Sequence, residues 1–464
     1  MNLFSLRDYQ EKAVNDIEQA WASGNKSVCL QLPTGAGKTR ILRTIIDNHT
    51  QSKKIIYVIA HRKNLVVQLS DELTSIDLKH GIIGASSPYI NYRIQVCSLQ
   101  TLIRRKDNLP DPEILIIDEA HHNVSKSYLS IFEKWPDAKV LGCTATPKRL
   151  DGKSLADTTD VLICGPQTKT LIDQGYLSSF DYYAPGEIDM SDVHIKMGEY
   201  VQAEASAKVD KKVITGSAIE HYRQYSDHLP ALVACVSIQH AIHVEKEFND
   251  SGYKFKAIHS KMEDKDIYRY IKYLADGTID GLTNCGLIGE GTDIPIVTTL
   301  IGLRPTNSET IFLQYCGRVL RKAKGKEKAI ILDHVGNYER HGLPDDYREW
   351  SLDYQPKKEK GKSKYKRCPE CFHPVFISAA ACPYCGYLFT DNNTRDIIPK
   401  EVEGRLVKIG NSEVREKPGN KKTIHLVAKY ATTFEEAQKI CTDLGYEKGY
   451  AWHVWVKILK NRVA

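Results

Sequence analysis

Short apolar runs alternate with longer mixed segments from the start of the chain to about residue 147. Five of these runs span five or six residues with little polar alternation: SVCLQL, IIYVIA, IQVCS, EILIID and KVLGCT. Strands that are buried on both faces of a parallel sheet have this pattern. The segments between them, such as residues 39–49 and 64–76, carry helical spacing and are long enough for crossovers. The pattern predicts a doubly wound α/β domain over residues 1–150.

A second series with the same rhythm begins near residue 231 and contains ALVACV, FKAIH, DGLTNC, VTTLIGL and KAIILD. It predicts another α/β domain over residues 217–352, joined to the first by a polar connector over residues 151–216. Residues 353–367 are basic and almost without aliphatic side chains, which is typical of a linker. A four-cysteine cluster over residues 368–390 and a small α+β segment over residues 391–464 complete the predicted order.

The composition is that of a multidomain globular protein, with 464 residues of which 42% are hydrophobic and 26% charged. No apolar run approaches the ~18 residues of a membrane span, and the N-terminus lacks a secretory signal. We therefore expect a cytoplasmic protein with no membrane partner. Its formal charge of +6 is uneven, because residues 352–464 hold 21 Lys and Arg against 13 Asp and Glu. This excess indicates either an anionic partner such as nucleic acid or a solvated basic tail.

The segment LPTGAGKT at residues 32–39 lies between a predicted strand and a predicted helix. Its glycine-rich part lets backbone N–H groups surround phosphates, Lys38 supplies a positive charge, and the Thr39 hydroxyl is suited to Mg²⁺. The backbone donors are expected at Thr34, Gly35, Ala36 and Gly37. Leu32 stands where the strict form of this motif has glycine, but the strand–loop–helix setting supports a nucleotide site.

An apolar strand that ends in two carboxylates, ILIIDEAHH, follows this loop by about 80 residues. Asp118 is suited to hold Mg²⁺, and Glu119 to orient and deprotonate an attacking water. Acidic residues at strand ends are common, but in the same α/β domain as a phosphate loop they predict nucleotide hydrolysis.

The order of motifs carries a family resemblance. LPTGAGKT, the box DEAH at residues 118–121, TAT at 144–146, GEGTDIP at 289–295 and QYCGRVLR at 314–321 resemble the superfamily 2 helicases of the DEAH type. The resemblance covers about residues 1–340. It implies two tandem RecA-like parallel-sheet domains that bind ATP and Mg²⁺ between them and move along a nucleic acid.

The resemblance also assigns roles to single residues. It implies that Arg7 and Gln10 recognise adenine. The residues implied to couple the nucleotide site to the nucleic acid are His121, Thr144 and Thr146. In the second domain, Gly291 and Asp293 are implied to sense the nucleotide. Gln314, Arg318 and Arg321 belong to the last motif. On a helix, Arg318 and Arg321 would lie on one face and could stabilise charge on the γ-phosphate.

Nucleic-acid contacts in this family lie on loops that match AHRKNLV, SLQT and SIQHA in this chain. The contact residues implied are His61, Arg62, Gln100, Thr101 and Ser237. Polar side chains of these types contact phosphates without reading sequence. We expect that the protein moves along DNA, which is then its track, and that it binds single-stranded, duplex or branched DNA with little base specificity. RNA is the alternative track. An ATP-gated clamp that does not separate strands is the competing function.

The cysteine cluster has the spacing C-x₂-C, ten residues, C-x₂-C. Four thiolates at this spacing predict a closed, structural Zn²⁺ site, and paired disulfides or free thiols are the alternative. The predicted ligands are Cys368, Cys371, Cys382 and Cys385. A zinc ribbon after the helicase motifs resembles RadD-type bacterial DNA repair helicases and related phage helicases. The ribbon or the tail is a candidate surface for a protein partner.

Overall fold

The computed structural model describes residues 6–353, apart from 62, 86, 121–124, 149–153, 185–193, 197–198, 210–211 and 288–293, together with 365–367, 374–376 and 407–411. The chain divides into two compact units, residues 1–412 and 413–464, and every described residue belongs to the first unit. The predicted zinc ligands and most of the predicted C-terminal segment therefore lie outside the described residues.

The first half folds around a seven-stranded parallel sheet of order β3-β4-β2-β5-β6-β1-β7. Its strands are β1 (Ser27–Gln31), β2 (Ile56–Ala60), β3 (His80–Ile83), β4 (Ile94–Ser98), β5 (Ile114–Asp118), β6 (Lys139–Thr144) and β7 (Val161–Cys164). The helices are α1 (Asp8–Ala22), α2 (Lys38–Gln51), α3 (Lys63–Thr74), α4 (Leu99–Arg105), α5 (Lys126–Lys134) and α6 (Thr168–Asp173), and a 3₁₀ turn spans Lys106–Asn108. The five predicted apolar runs form β1, β2, β4, β5 and β6.

The absence of polar alternation in these runs has a structural cause. In β2, Ile56, Val58 and Ala60 pack into one core, whereas Tyr57 and Ile59 pack into another core on the opposite face of the sheet. Successive side chains of a strand point to opposite faces, so a sheet covered on both sides requires apolar residues at every position.

The second half has another seven-stranded sheet, of order β12-β13-β11-β14-β15-β8-β18, in which only β18 is antiparallel to its neighbour. Its strands are β8 (Phe180–Ala184), β11 (Ala231–Ala234), β12 (Phe255–His259), β13 (Gly281–Cys285), β14 (Thr299–Gly302), β15 (Ala329–Asp333) and β18 (Val407–Asn411). Two short hairpins pair β9 (Ile195–Lys196) with β10 (Glu199–Tyr200), and β16 (Tyr365–Arg367) with β17 (Pro374–Phe376). The helices are α7 (Gln202–Val209), α8 (Lys212–Ser226), α9 (Ile238–Asp250), α10 (Asp264–Ala275), α11 (Glu309–Val319) and α12 (Asn337–His341).

The segment predicted as a polar connector, residues 151–216, contributes β7 to the first sheet and β8 to the second. The apolar pattern did not indicate either strand. β7 is an edge strand with partly exposed residues, and β8 contains Asp181, a buried carboxylate that is paired with Lys328. The sequence prediction of a plain connector was wrong for these two strands. In the part of the chain that the structure describes, no helix has the length and apolar composition needed to cross a membrane.

Candidate nucleotide-hydrolysis site

The predicted catalytic segments of the first domain meet at one edge of its sheet. Strand β6 lies between β1 and β5, with Gln31 opposite Thr144 and Asp118 opposite Cys143. Because the three strands are parallel, their carboxyl ends lie at the same edge. The phosphate loop that follows β1, the carboxylates at the end of β5 and the threonines at the end of β6 are therefore neighbours.

The phosphate loop has the backbone conformation that its glycines allow. Gly35 and Gly37 have φ angles of +86° and +79°, and helix α2 begins at Lys38 with its N-terminal N–H groups directed toward the loop. Lys38 Nζ donates a hydrogen bond to the carbonyl of Leu32 at 3.4 Å. Leu32 itself is fully buried, and a Cβ at Gly165 would lie 2.2 Å from its Cδ2 atom. The leucine that replaces the usual glycine thus anchors the loop in the core.

The two carboxylates sit in a strained and largely buried turn. Glu119 is 8% exposed and has φ +55°, which a non-glycine residue rarely adopts, and its N–H donates to Asp118 Oδ1 at 3.0 Å. Burial and the neighbouring Glu119 raise the pKa of Asp118 to about 6, while Lys38 opposes this shift. A carboxylate whose burial raises its pKa is well suited to a divalent cation, which favours the ionised form.

The donor set fits Mg²⁺. The Thr39 hydroxyl and the Asp118 carboxylate would supply hard oxygen ligands, and Mg²⁺ in such sites takes its remaining ligands from phosphates and water. When bound, the cation neutralises charge on the β- and γ-phosphates. Within the described ranges, no group of three or more His, Cys, Asp and Glu side chains forms another candidate metal centre.

The N-terminal motif docks directly on the phosphate loop. Gln10 is fully buried, its Nε2 donates to the carbonyls of Ala36 and Gly37 at 3.1 and 3.4 Å, and its Oε1 accepts from Arg7 N–H at 3.0 Å. Tyr9 adds a hydrogen bond from its hydroxyl to the Ala36 carbonyl at 2.7 Å. Adenine contacts by Arg7 and Gln10 remain a prediction, and the structure adds a role for Gln10 in holding the loop.

Helix α11 of the second domain packs on the same loop. A Cβ at Gly317 would lie 2.3 Å from Thr34 Cβ, so only glycine permits this approach. Gln314 and Arg318 are buried in the helix, at 3% and 7% exposure. Arg321 lies beyond the helix, which ends at Val319, so the prediction that both arginines share one helical face was wrong.

Arg321 still reaches the loop. Its Cγ lies 3.2 Å from the position that a Cβ would take on Gly35. Arg321 therefore meets the loop from the turn after α11, whereas Arg318 is buried within the helix, next to Gly317.

Of the two threonines predicted to couple the sites, Thr146 contacts the second domain and Thr144 holds Thr146 in place. Thr144 Oγ1 donates to the carbonyl of Thr146 at 3.0 Å and accepts from its N–H at 3.1 Å, and Thr146 Oγ1 donates to Thr310 Oγ1 of α11 at 2.9 Å. His121, Gly291 and Asp293 lie outside the described residues, so their predicted roles are untested. The carboxylates, the phosphate loop and α11 nevertheless form one continuous site.

The two halves of the chain match two separate protein families. Residues 3–149 match the family described as type III restriction enzyme, res subunit, and residues 217–323 match the helicase conserved C-terminal domain. These matches and the helicases among the relatives support the assignment of the chain to superfamily 2 of the helicases. The chain carries the two domains of an ATP-hydrolysing nucleic-acid helicase, as the motif order implied.

Relatives and solved structures agree with this assignment. The 51.5 kDa protein of Lactococcus phage (isolate 7-9) is 29% identical over 384 residues, which cover 82% of this helicase chain and 82% of the relative. The putative ATP-dependent helicase IRC3 of Saccharomyces cerevisiae is 30% identical over 356 residues, which cover 71% of this chain but only 51% of IRC3. The chain thus spans about half the length of its yeast relative.

Two restriction enzymes share the fold. A fragment of a putative HsdR subunit of a type I restriction enzyme from Vibrio vulnificus YJ016 has a TM-score of 0.60 at 21% identity, and the match covers 76% of this chain and 67% of that one. The type ISP restriction-modification enzyme LlaBIII bound to DNA has a TM-score of 0.54 at 16% identity, covering 71% and 28%. These likenesses confirm the predicted pair of RecA-like domains.

The structure is compatible with some of the predicted nucleic-acid contacts of this helicase and not with others. Ala60 lies opposite Ser98 in the sheet, and Gln100 Nε2 donates to the carbonyl of His61 at 3.2 Å, so these two loops are adjacent. Thr101 is only 6% exposed within α4, which does not support a contact from its side chain. Arg62 lies outside the described residues.

Ser237 has a structural partner that the motif does not reveal. It caps α9 by accepting from His240 N–H at 3.0 Å, and its hydroxyl lies 3.2 Å from Ser206 Oγ of α7. Helix α7 thus lies beside the predicted contact.

Three residues near the site escaped the sequence analysis. The Tyr176 ring lies 4.3 Å from the Arg7 guanidinium. Lys326 Nζ donates to the carbonyls of Val319, the last residue of α11, and of Arg321 just beyond it. Arg348 Nε donates to Glu309, the first residue of α11. Each lies outside the recognised motifs, and only a three-dimensional arrangement reveals its contact.

Proposed function

We propose that this chain is an ATP-driven DNA helicase or translocase. In this proposal, ATP hydrolysis at the first domain changes how the second domain packs against it. The packing of Gly317 against Thr34 is the observation that carries the proposal, because it sets α11, with Arg318 next to Gly317, on the loop that would hold the phosphates, and Arg321 lies beside Gly35 of that loop. A nucleotide between two domains can alternately close and open them, which moves contacts along a strand.

In the proposed reaction, Lys38 and the loop N–H groups bind the phosphates and Glu119 accepts the proton of the attacking water. Arg318 and Arg321 stabilise the charge that develops on the γ-phosphate. Asp293 and Gly291 sense the nucleotide from the second domain, and His121, Thr144 and Thr146 pass the change to the track. The hydrogen bond between Thr146 and Thr310 supports this last role.

We further propose DNA as the track, contacted mainly through phosphates by His61, Arg62, Gln100 and Ser237. The C-terminal excess of positive charge supports an anionic partner. LlaBIII, which shares the fold, is bound to DNA, and this is consistent with a DNA track. Repair, recombination and phage replication are processes in which such a motor would act.

A structural Zn²⁺ held by the four cysteines completes the proposal. The paired strands β16 and β17 support it, because the sequence between them contains the first C-x₂-C pair, Cys368 and Cys371. A hairpin that carries two cysteines in its connection is one half of a zinc ribbon. The ribbon or the tail beyond it is the proposed surface for a protein partner.

ATP turnover against matched single-stranded, duplex and forked DNA, and against the corresponding RNA, tests the track. We expect DNA to raise turnover several-fold and ATP to drive displacement of a labelled strand, with Glu119→Gln as the background control. Stimulation by RNA alone would overturn the choice of DNA. Turnover and binding without displacement would instead indicate the ATP-gated clamp.

A further inference from the structure

After α12 the chain crosses from the second domain back to the first over residues 343–353, which we call the strap. The Leu352 carbonyl accepts hydrogen bonds from Ser154 Oγ at 2.8 Å and from Leu155 N–H at 3.2 Å. The Gln167 side chain pairs with the backbone of Arg348: its Nε2 donates to the Arg348 carbonyl at 3.0 Å, and its Oε1 accepts from the Arg348 N–H at 3.2 Å. The strap is therefore bound to the first domain at two separate points.

The Arg348 side chain is fixed on nearly every side. It is 9% exposed, and its Nη atoms donate to backbone carbonyls at the end of α12 and within the strap. These acceptors are His341, Leu343, Pro344 and Asp346. Its Nε atom donates to Glu309 Oε1 at 2.8 Å. A buried guanidinium with this many acceptors holds its partner carboxylate in one position.

Glu309 is the first residue of α11 and is bound from two sides. Lys148 of the first domain, two residues after Thr146, donates to Glu309 Oε2 at 2.7 Å, and its ammonium lies 5.2 Å from the centre of the Trp350 ring. Burial alone would raise the pKa of Glu309, but Arg348 and Lys148 outweigh it and lower the pKa. The carboxylate is thus ionised and shared between the two domains.

We propose that Arg348 is a positioning residue for ATP hydrolysis, and that with Glu309, Lys148 and Gln167 it forms an interdomain clasp that sets α11 on the phosphate loop. Helix α11 runs from Glu309 at the clasp to Gly317 and Arg318 at the loop. Because a helix transmits a displacement along its length, a loose first residue misplaces the arginine at the other end. This inference rests on ATP hydrolysis by the helicase domains and is independent of the choice of track.

Arg348→Met, Glu309→Gln and Gln167→Ala test the clasp in three chemically different ways. For each folded variant we expect the kcat for ATP to fall about 5- to 20-fold, while KM changes less than about twofold, because phosphate binding to the loop is retained. The double variant Arg348→Met/Glu309→Gln should be no slower than the slower single variant, since both changes break one unit. Turnover is measured both with and without nucleic acid.

Lys12→Met is the matched control, because it removes an exposed ion pair with Asp16 within α1, which contributes no residue to the clasp, and should leave kcat unchanged. Thermal unfolding of every variant separates lost stability from lost turnover. Gln167→Ala removes two hydrogen bonds and no charge. If Arg348→Met does not fold, the kcat of Gln167→Ala still tests the clasp. Wild-type kcat in folded clasp variants, or a rise in KM alone, would overturn the proposal.

Discussion

Single residues at this site owe their behaviour to where the backbone places them. Glu119 is held in a left-handed conformation that positions a buried carboxylate beside Asp118. The sequence predicted this pair and the phosphate loop because they form a contiguous motif. It did not predict the contacts of Lys326, whose three carbonyl acceptors lie in two separate segments that only the fold brings together.

Lys326 leads to a prediction about pH. Its ammonium donates to the carbonyls of Val297 at 2.6 Å, Arg321 at 2.9 Å and Val319, and burial with the nearby Arg321 charge lowers its pKa to about 7. An unfolded lysine has a pKa near ~10.4, so between these values the unfolded state binds more protons. The stability of the wild type relative to Lys326→Met should therefore rise from pH 6.5 to 9.

Thermal unfolding of the wild type and of Lys326→Met across this pH range measures the effect. Lys324→Met, at a neighbouring exposed position, is the control and should follow the wild type at every pH. A difference between the wild type and Lys326→Met that does not change with pH would mean that the three carbonyls keep the amine charged throughout.

Among the elements, the strands with continuous apolar runs were predictable, whereas β3, β7, β8 and β18 were not. All five apolar runs of each half became strands, because positions buried on both faces leave a continuous apolar signal. β3 and β7 have partly exposed residues, and β8 contains a paired buried carboxylate, so their patterns are mixed. The strand β18 comes from a distant part of the chain, and a local pattern cannot reveal its partner.

The close packing of helix α11 on the phosphate loop leads to a prediction about ATP turnover. Alanine at a helical glycine position normally stabilises a helix by roughly 1 kcal/mol, yet at Gly317 the new Cβ would overlap Thr34. We expect Gly317→Ala to keep its fold while kcat for ATP falls at least about tenfold, which corresponds to about 1.4 kcal/mol of transition-state stabilisation. Steady-state turnover and thermal unfolding measure the two effects.

Gly302→Ala is the matched control, because its Cβ would meet its nearest neighbour at an ordinary 3.6 Å. If Gly317→Ala hydrolysed ATP at the wild-type rate, close packing of α11 on the loop would not be needed for catalysis.

On the scale of the whole molecule, the two sheets and the site between them are built from residues 6–353 and the returning strand β18. None of the predicted zinc ligands belongs to these elements. The hydrolytic machinery should therefore be separable from the proposed metal centre.

Removal of the proposed Zn²⁺ tests this separation. We expect about one zinc per chain, released by thiol modification in the presence of a chelator, with basal ATP turnover and the main thermal transition retained. Metal analysis, turnover and unfolding on the same sample give the answer. Loss of the whole fold with the metal would show that the ribbon supports the helicase domains, and a zinc-free chain would refute the proposed site.

The pairing of β18 with β8 also determines whether a proteolytic cut after the strap separates the C-terminal part of the chain from the helicase domains. Strand β18 follows the cysteine cluster in the chain but lies in the second sheet, whereas the strap before the cluster is bound to the first domain. The intervening residues are therefore anchored at both ends. A single cut between residues 354 and 406 should leave two fragments that still migrate as one particle under native conditions and separate only in denaturant.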